Sequence, residues 1–135
     1  MSPRVLVVDD SPIIRDLLRL TLEDAGFEVA EAEDGKAAIA ALKRQQPHLI
    51  ICDLSMPELD GIGVLDIVRS DPRYASVPVL MLTVESQPEA SAAAKAHGAQ
   101  AFMRKPCSAR DLVSTVVGLC KRHGIALPTP RQIPA

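Results

Sequence analysis

Five polar residues of the sequence are suited to phosphate and metal-ion chemistry, and each follows an apolar run. They are Asp9, Asp10, Asp53, Thr83 and Lys105. Carboxylates that lie close together repel one another, and one of them takes up a proton unless a cation lies among them. Carboxylate oxygens without histidine or cysteine ligands suit a hard divalent ion, for which we expect Mg²⁺. A carboxylate can also act as a nucleophile toward phosphorus.

The apolar runs that precede these residues predict β-strands. Residues 4–8 form a continuous β-branched and apolar run that ends at two aspartates, which is typical of a strand buried on both faces. Further strands are predicted over 27–32, 49–52, 77–83 and 101–103. We expect the carboxyl ends of these strands to carry the polar residues.

Amphipathic helices are predicted between the strands. After Pro12, apolar residues recur at three- and four-residue steps until Gly26, which suits a helix terminator. The other helices are predicted over 35–46, 61–70, 88–97 and 108–122. Alternating strands and helices indicate an α/β fold, a doubly wound parallel sheet with helices on both faces. Such sheets bind ligands beyond the carboxyl ends of their strands.

The length of 135 residues fits one compact domain, which we predict over residues 1–124. Residues 125–135 contain Pro128, Pro130 and Pro134 without an apolar period, so they are predicted to be an extended tail or linker. The segment 70–75 is predicted to be a surface connection, because its aspartate and proline suit a turn.

Composition argues against several classes of protein. No apolar run approaches the roughly 20 residues that cross a bilayer, and the first residues do not resemble a secretion signal. Three cysteines without a CxxC pair indicate neither a disulfide framework nor a zinc site, and we expect a cytoplasmic location. With 15 basic and 17 acidic residues and no basic run mixed with aromatics, direct nucleic-acid binding is disfavoured.

Taken singly, an aspartate after a strand is more typical of a turn or a helix N-cap than of a reactive group. The combination, however, resembles the response-regulator receiver family of bacterial two-component signalling. The resemblance covers residues 4 to about 122 and is carried by Val8-Asp9-Asp10, Leu82-Thr83, Lys105-Pro106 and the segment from Asp53 to Gly61. That segment is the most specific, because the acceptor, a Met-Pro turn and an Asp-Gly helix start all occur at the family's spacing. The resemblance implies the flavodoxin-like strand order 2-1-3-4-5.

The family likeness also implies roles for individual residues. Asp53 is expected to receive a phosphoryl group from a phosphohistidine on a sensor histidine kinase or phosphotransfer protein. Asp10, Asp53 and the main-chain carbonyl of Ser55 are expected to ligate Mg²⁺, and Asp9 to act mainly through metal-bound water. Lys105 is expected to contact Asp53 or its phosphate and to precede a cis peptide bond.

A conformational switch follows from the same likeness. Thr83 is expected to move toward the phosphate, and Phe102 to turn inward into the vacated space. The face formed by the fourth helix, fifth strand and fifth helix would then change for a downstream effector protein or domain. A homodimer is one option for that face. The chain is expected to be a signalling receiver that catalyses its own phosphorylation and dephosphorylation, not a turnover enzyme.

The sequence departs from the commonest family pattern at a few positions. Val84 stands where the family usually has a small residue, and its branched side chain is expected to crowd the phosphate and slow transfer or hydrolysis. Phe102 replaces a frequent tyrosine. Ser55 and Glu85, the positions that usually tune dephosphorylation, are both polar and do not fix a phosphoryl lifetime.

Three alternatives are open. An unphosphorylated pseudo-receiver would keep the fold as an interaction module, although loss of an acid or the lysine would be expected there. A phosphatase with an aspartyl nucleophile would need a second aspartate where Ser55 stands. A flavin carrier would need a phosphate-binding loop after the first strand, where Asp9 and Asp10 would repel a phosphate.

Overall fold

The computed structural model describes residues 2–56, 59–84 and 88–129. In this part of the chain, strands and helices alternate as the sequence predicts. The elements are β1 (Arg4–Val8), α1 (Pro12–Asp24), β2 (Glu28–Ala32), α2 (Gly35–Arg44), β3 (Leu49–Cys52), α3 (Gly61–Ser70), β4 (Val79–Thr83), α4 (Pro88–Ala96), β5 (Ala101–Arg104) and α5 (Ala109–Arg122). The largest differences from the prediction are two residues: β4 begins later, at Val79, and α2 ends earlier, at Arg44. Pro78, which precedes β4, has no backbone N–H to donate to a neighbouring strand.

The strands form one parallel sheet in the order β2-β1-β3-β4-β5, which confirms the flavodoxin-like prediction. Val8 at the end of β1 pairs with Cys52 at the end of β3 and with Ala32 at the end of β2. The residues that follow β1 and β3 therefore emerge side by side at the carboxyl edge of the sheet.

Apolar side chains pack on both faces of the sheet. In β1, Leu6 and Val8 join the cluster beneath α2, α3 and α4, whereas Val5 and Val7 join the cluster beneath α1 and α5. This division follows from the two-residue period of a strand. It explains why β1 is a continuous apolar run, because neither of its faces meets water.

Short polar side chains fix where the helices begin. The Ser11 hydroxyl accepts a hydrogen bond from the Ile14 amide at 3.3 Å, and Asp60 accepts one from the Gly63 amide at 2.9 Å. These N-caps satisfy amide groups that have no partner inside the helix. Ser11 lies directly after Asp10, so its cap also fixes how the chain leaves the carboxyl edge.

The connection over residues 70–75 contains one core residue, which the sequence analysis did not anticipate. The Tyr74 ring is buried, and its hydroxyl donates to the Leu42 carbonyl at 3.2 Å. The prediction of a surface connection is therefore wrong for Tyr74. An amphipathic ring can be buried in this way when its hydroxyl finds an acceptor.

Residues 125–129 of the predicted tail contain neither helix nor strand, and they contact the domain. Ile125 packs against the cluster beneath α1 and α5. The carbonyl of Thr129 lies so close to Gly26 that a Cβ there would be 2.1 Å from its oxygen. Pro130 and Pro134 lie outside the described residues.

Cys52, Cys107 and Cys120 are free thiols, and Cys52 and Cys120 are buried. Burial raises the pKa of the Cys52 thiol, and the neighbouring Asp53 carboxylate adds to that effect. These cysteines therefore behave as small apolar side chains. Within the described ranges, the helices are too short or too polar to cross a bilayer.

Gly61 allows α3 to begin directly against the strand-end loop. A Cβ at this position would lie 2.4 Å from the Asp53 carbonyl oxygen and 2.6 Å from Met81 Cε. We expect Gly61→Ala to lower the free energy of unfolding by roughly 1–3 kcal/mol, because the backbone would have to move. Urea unfolding followed by circular dichroism measures this change.

Gly118 provides the matched control. A Cβ there would meet nothing within 4 Å, so Gly118→Ala in α5 should raise the free energy of unfolding by up to about 1 kcal/mol. Equal stability of Gly61→Ala and the wild type would contradict the close approach of α3 to Asp53.

Candidate functional site

Three carboxylates from two strand ends meet at the carboxyl edge. Asp9 and Asp10 follow β1 and Asp53 follows β3, and one oxygen from each lies within 4.8 Å of the others. Asp9 is 2% exposed and Asp53 is 7% exposed, whereas Asp10 is open to solvent. The trio is therefore buried at Asp9 and Asp53 and open to solvent at Asp10.

Both oxygens of the Asp9 carboxylate have protein donors. Oδ1 accepts from the Ser11 amide at 2.9 Å, and Oδ2 accepts from Lys105 Nζ at 2.5 Å. Asp9 is thus held rigidly and faces away from solvent. Asp10 is different: within the described ranges no hydrogen bond holds its carboxylate.

Asp53 is held by the same two kinds of donor. Its Oδ1 accepts from the Ser55 amide at 3.2 Å, and its Oδ2 accepts from Lys105 Nζ at 3.2 Å. Gly61 donates its amide to the Leu54 carbonyl at 2.9 Å, which ties the loop after Asp53 to the first turn of α3. The loop therefore presents the carboxylate at a fixed position.

Lys105 links the acidic residues to β5, the edge strand on the other side of β4. It follows β5, its amide donates to the Thr83 carbonyl at 2.8 Å, and its bond to Pro106 is cis as expected. Burial by itself lowers the pKa of Lys105. The hydrogen bond to Asp9 and the charges of Asp53 and Asp9 outweigh burial, so the pKa lies above its ordinary value. The side chain therefore carries a full positive charge at neutral pH.

Thr83 and Phe102 share one face of the sheet. Met81 pairs with Phe102 and Thr83 pairs with Arg104, so the alternation of the strands points Met81, Thr83 and Phe102 to the same side. Thr83 is fully buried, whereas Phe102 is partly buried against the cluster beneath α2, α3 and α4. The structure brings both residues of the expected switch to one face.

A cleft beside the carboxylates leads to solvent. Residues of its wall come from the loops after β1 and β3 and from α3 and α4: Asp10, Leu54, Ser55, Met56, Asp60, Ile62 and Ala93. Ser55 therefore lies on the same cleft as Asp10. Val84 is 70% exposed after Thr83. Pro57 and Glu58 of the family-like segment, and Glu85, lie outside the described residues.

The donor chemistry of this site fits a hard divalent cation. All three charged ligand candidates are carboxylates, and Lys105 balances only one of their negative charges. Asp10 and the cleft give solvent access, which suits an ion that keeps several waters.

Several contacts that hold this site, including that of Lys105 with Asp9, were not predicted from the sequence. The Ser11 amide reaches Asp9, and the Arg15 guanidinium donates to the Asp9 carbonyl at 2.7 Å. The N-cap position of Ser11 gave a signal for the first contact. An arginine one turn into an amphipathic helix gave no signal for the second, because such residues are ordinarily solvated.

Comparison with known proteins identifies the class to which this fold and site belong. A family described as "Response regulator receiver domain" matches residues 5–117. The chain belongs to this family and contains a signalling receiver domain.

Two curated relatives show how the chain compares in length. The chain is 38% identical over 120 residues to the DNA-binding dual master transcriptional regulator RpaA of Synechocystis, which corresponds to 89% of this chain and 50% of that protein. It is also 38% identical over 116 residues to a 14.6 kDa protein of Leptolyngbya boryana, covering 86% of this chain and 88% of that one. The chain thus spans about half the length of RpaA and most of the shorter relative.

Solved structures agree with the family. The chemotaxis protein CheY4 of Vibrio cholerae has a TM-score of 0.84 and 38% identity, covering 87% of this chain and 98% of that one. The signal receiver domain of a histidine kinase from Syntrophus aciditrophicus has a TM-score of 0.84 and 30% identity, covering 99% and 100%. Chains with this fold therefore include a chemotaxis protein and the receiver domain of a histidine kinase.

The raised pKa of Lys105 has a measurable consequence for stability. The folded state holds the Lys105 proton more tightly than the unfolded state does. The stabilisation from the protonated lysine is therefore complete below its ordinary pKa of 10.5 and is lost as the pH rises through the pKa of the folded state. Lys105→Met has no titratable group at this position. In metal-free buffer, we expect the difference in unfolding free energy between the wild type and Lys105→Met to narrow above pH 10.5.

Urea unfolding at a series of alkaline pH values measures this difference. Other groups titrate in the same range, but they are common to both proteins and cancel. If the difference in unfolding free energy stayed constant across these pH values, Asp9 and Asp53 would not be raising the pKa of Lys105.

Proposed function

We propose that this chain is a phosphorylation-activated signalling switch in which Asp53 accepts a phosphoryl group with the help of Mg²⁺. The observation that carries this proposal is the carboxylate trio at one sheet edge with Lys105 bonded to two of its members. A trio of negative charges is costly unless cations balance it. One ammonium leaves that balance incomplete, and an ion would complete it.

The residues that would hold Mg²⁺ are Asp10, Asp53 and the main-chain carbonyl of Ser55. When bound, the ion supplies positive charge that neutralises phosphoryl oxygens. Asp9 would act mainly through metal-bound water, since both of its oxygens already accept from protein donors. This division of roles is supported by burial, because Asp10 is the exposed acid of the trio and Asp9 the deeply buried one.

Asp53 is the proposed nucleophile toward a phosphohistidine of a sensor histidine kinase or phosphotransfer protein. One of its carboxylate oxygens forms a bond to phosphorus while the bond from phosphorus to the donor nitrogen breaks. The electron pair of the broken bond stays on the imidazole of the donor. Lys105 would then contact the phosphoryl oxygens, since its Nζ already lies 3.2 Å from Asp53 Oδ2. Positioning and charge supply most of the acceleration in such transfers.

The proposed output passes through Thr83 and Phe102. The Thr83 hydroxyl would turn to the phosphoryl group, and Phe102 would move inward on the same face of the sheet. Partial burial of Phe102 supports this, because the ring lies between solvent and the cluster beneath α2, α3 and α4. The surface of α4, β5 and α5 would then differ between the two states and would be read by a downstream effector, or by a second copy in a homodimer.

We place the protein in the cytoplasm, where free thiols stay reduced. We also propose residues 1–124 as the receiver domain and 125–135 as its tail. Self-catalysed hydrolysis of the aspartyl phosphate would end the signal, and the exposed Val84, which follows Thr83, would slow this hydrolysis by crowding the approach to the phosphate.

Phosphorylation of Asp53 is tested directly with a small phosphodonor. Incubation with Mg²⁺ and acetyl phosphate should add one phosphoryl group to the intact mass of the wild type. Asp53→Asn should abolish the adduct, because an amide is not a nucleophile for this transfer. Omission of Mg²⁺, or addition of a chelator, should also remove it.

Asp16→Asn is the matched control, since Asp16 is an exposed aspartate on α1 that pairs with Arg19. It should keep the adduct. A folded wild type that acquires no phosphoryl group would favour the pseudo-receiver. Continuous release of phosphate from an ester would instead favour the phosphatase.

The switch is tested by separating phosphorylation from its structural effect. Thr83→Ala should still accept a phosphoryl group, but amide hydrogen exchange in β5 should no longer change on phosphorylation. The reason is that the hydroxyl that couples the phosphate to Phe102 is missing. Hydrogen exchange measured by mass spectrometry, with and without acetyl phosphate, gives the comparison.

Thr21→Ala is the control for a lost threonine hydroxyl. Thr21 lies on α1 and donates to the Leu17 carbonyl at 2.8 Å, away from the strand ends. It should respond like the wild type. An unaltered response in Thr83→Ala would disprove the proposed coupling.

A further inference from the structure

Arg15 reaches from α1 back to the end of β1. Its Nη1 donates to the main-chain carbonyl of Asp9 at 2.7 Å, and the side chain is 16% exposed. Asp9 lies one residue beyond β1, and its amide still donates to the Ala32 carbonyl of β2 at 3.1 Å. The guanidinium therefore binds the carbonyl at the point where the chain leaves the sheet.

The direction of the Asp9 carbonyl affects where Asp10 lies relative to Asp9. The carbonyl of Asp9 and the amide of Asp10 belong to one planar peptide unit. A bond that fixes the carbonyl direction therefore also fixes the position of Asp10 Cα, the atom from which the Asp10 side chain departs. Asp10 depends on this support, because no hydrogen bond within the described part of the chain holds its carboxylate.

A second contact holds the guanidinium itself. Arg15 Nε lies 3.5 Å from Oε1 of Glu31, and Glu31 pairs with Val7 in the β1–β2 ladder. Arg15 thus connects α1, the end of β1 and β2. The Glu31 carboxylate also balances the positive charge of Arg15, which limits its repulsion of a cation bound nearby.

We infer that Arg15 is a positioning residue for the cation site, acting through the Asp9–Asp10 peptide unit without touching the ion. This inference rests on the proposed function, because it concerns how Asp10 is aimed at Mg²⁺. Groups that orient metal ligands from outside typically contribute 10–100-fold to metal affinity. Loss of Arg15 should therefore weaken Mg²⁺ binding and leave Asp53 chemically intact.

Arg19 offers a matched comparison. It lies one turn further along α1, and its Nε lies 3.4 Å from Oε2 of the same Glu31. It also pairs with Glu23 and Asp16, but it has no bond to Asp9 among the described contacts. Arg15 and Arg19 thus share a residue type, a helix and a partner, and differ in the contact with Asp9.

The test measures Mg²⁺ affinity by titration calorimetry in the wild type, Arg15→Ala and Arg19→Ala. We expect Arg15→Ala to bind Mg²⁺ about tenfold more weakly. Arg19→Ala should stay within about twofold of the wild type. Phosphorylation by acetyl phosphate should show the same pattern: Arg15→Ala needs more Mg²⁺ for half-maximal rate, but its maximal rate at saturating Mg²⁺ approaches that of the wild type.

Arg15→Lys serves if Arg15→Ala does not fold. A single ammonium cannot hold the Asp9 carbonyl and Glu31 in the same way as a guanidinium, so weaker Mg²⁺ binding is again expected. Equal affinity in Arg15 variants and the wild type, or equal weakening in Arg19→Ala, would overturn the inference while leaving the proposed function standing. Absence of Mg²⁺ binding by the folded wild type would overturn both.

Discussion

The interaction on which the site depends is the attraction between Lys105 and two buried carboxylates. Asp9 and Asp53 come from neighbouring strands, and folding brings their negative charges together in a place with little water. Repulsion in such a place would favour protonation of one acid. The ammonium of Lys105 contacts both and offsets part of that repulsion. The fold itself therefore places one counter-charge beside the two buried acids.

The sheet order makes this contact possible. Lys105 follows β5, and β4 lies between β5 and β3. Neighbouring strands are about 4.8 Å apart, so the lysine side chain must pass over the end of β4 to reach Asp53 and Asp9. Thr83 ends β4 at this point, and its carbonyl accepts the Lys105 amide. Thr83, which is proposed to sense the phosphoryl group, thus lies next to Lys105, which is proposed to bind it.

The surrounding fold restrains the acids more than it restrains β5. Ser11, Gly61 and Arg15 hold the ends of β1 and β3 through backbone hydrogen bonds and close packing. β5 is an edge strand, and its residues are only partly buried. This arrangement suits the proposed switch. Phosphorylation would leave the acids at the ends of β1 and β3 in place, while the less buried β5 would move.

The strands, the helices and the charged residues of the site could be predicted from local patterns in the sequence. Apolar runs, the helical period that ends at Gly26, and the polar residues after each strand were enough to predict the α/β fold and the edge at which Asp9, Asp10 and Asp53 meet. The strand order came from the family resemblance, because local patterns do not encode which strands pair.

Contacts between residues far apart in the chain could not be predicted in this way. Lys105 and Asp9 are 96 positions apart, and their hydrogen bond depends on the order of the strands between them. The burial of Tyr74, the approach of Thr129 to Gly26 and the reach of Arg15 to the Asp9 carbonyl were likewise missed. Periodicity reports which face of an element is apolar. It does not report where a long side chain ends, because that position is set by elements remote in the chain.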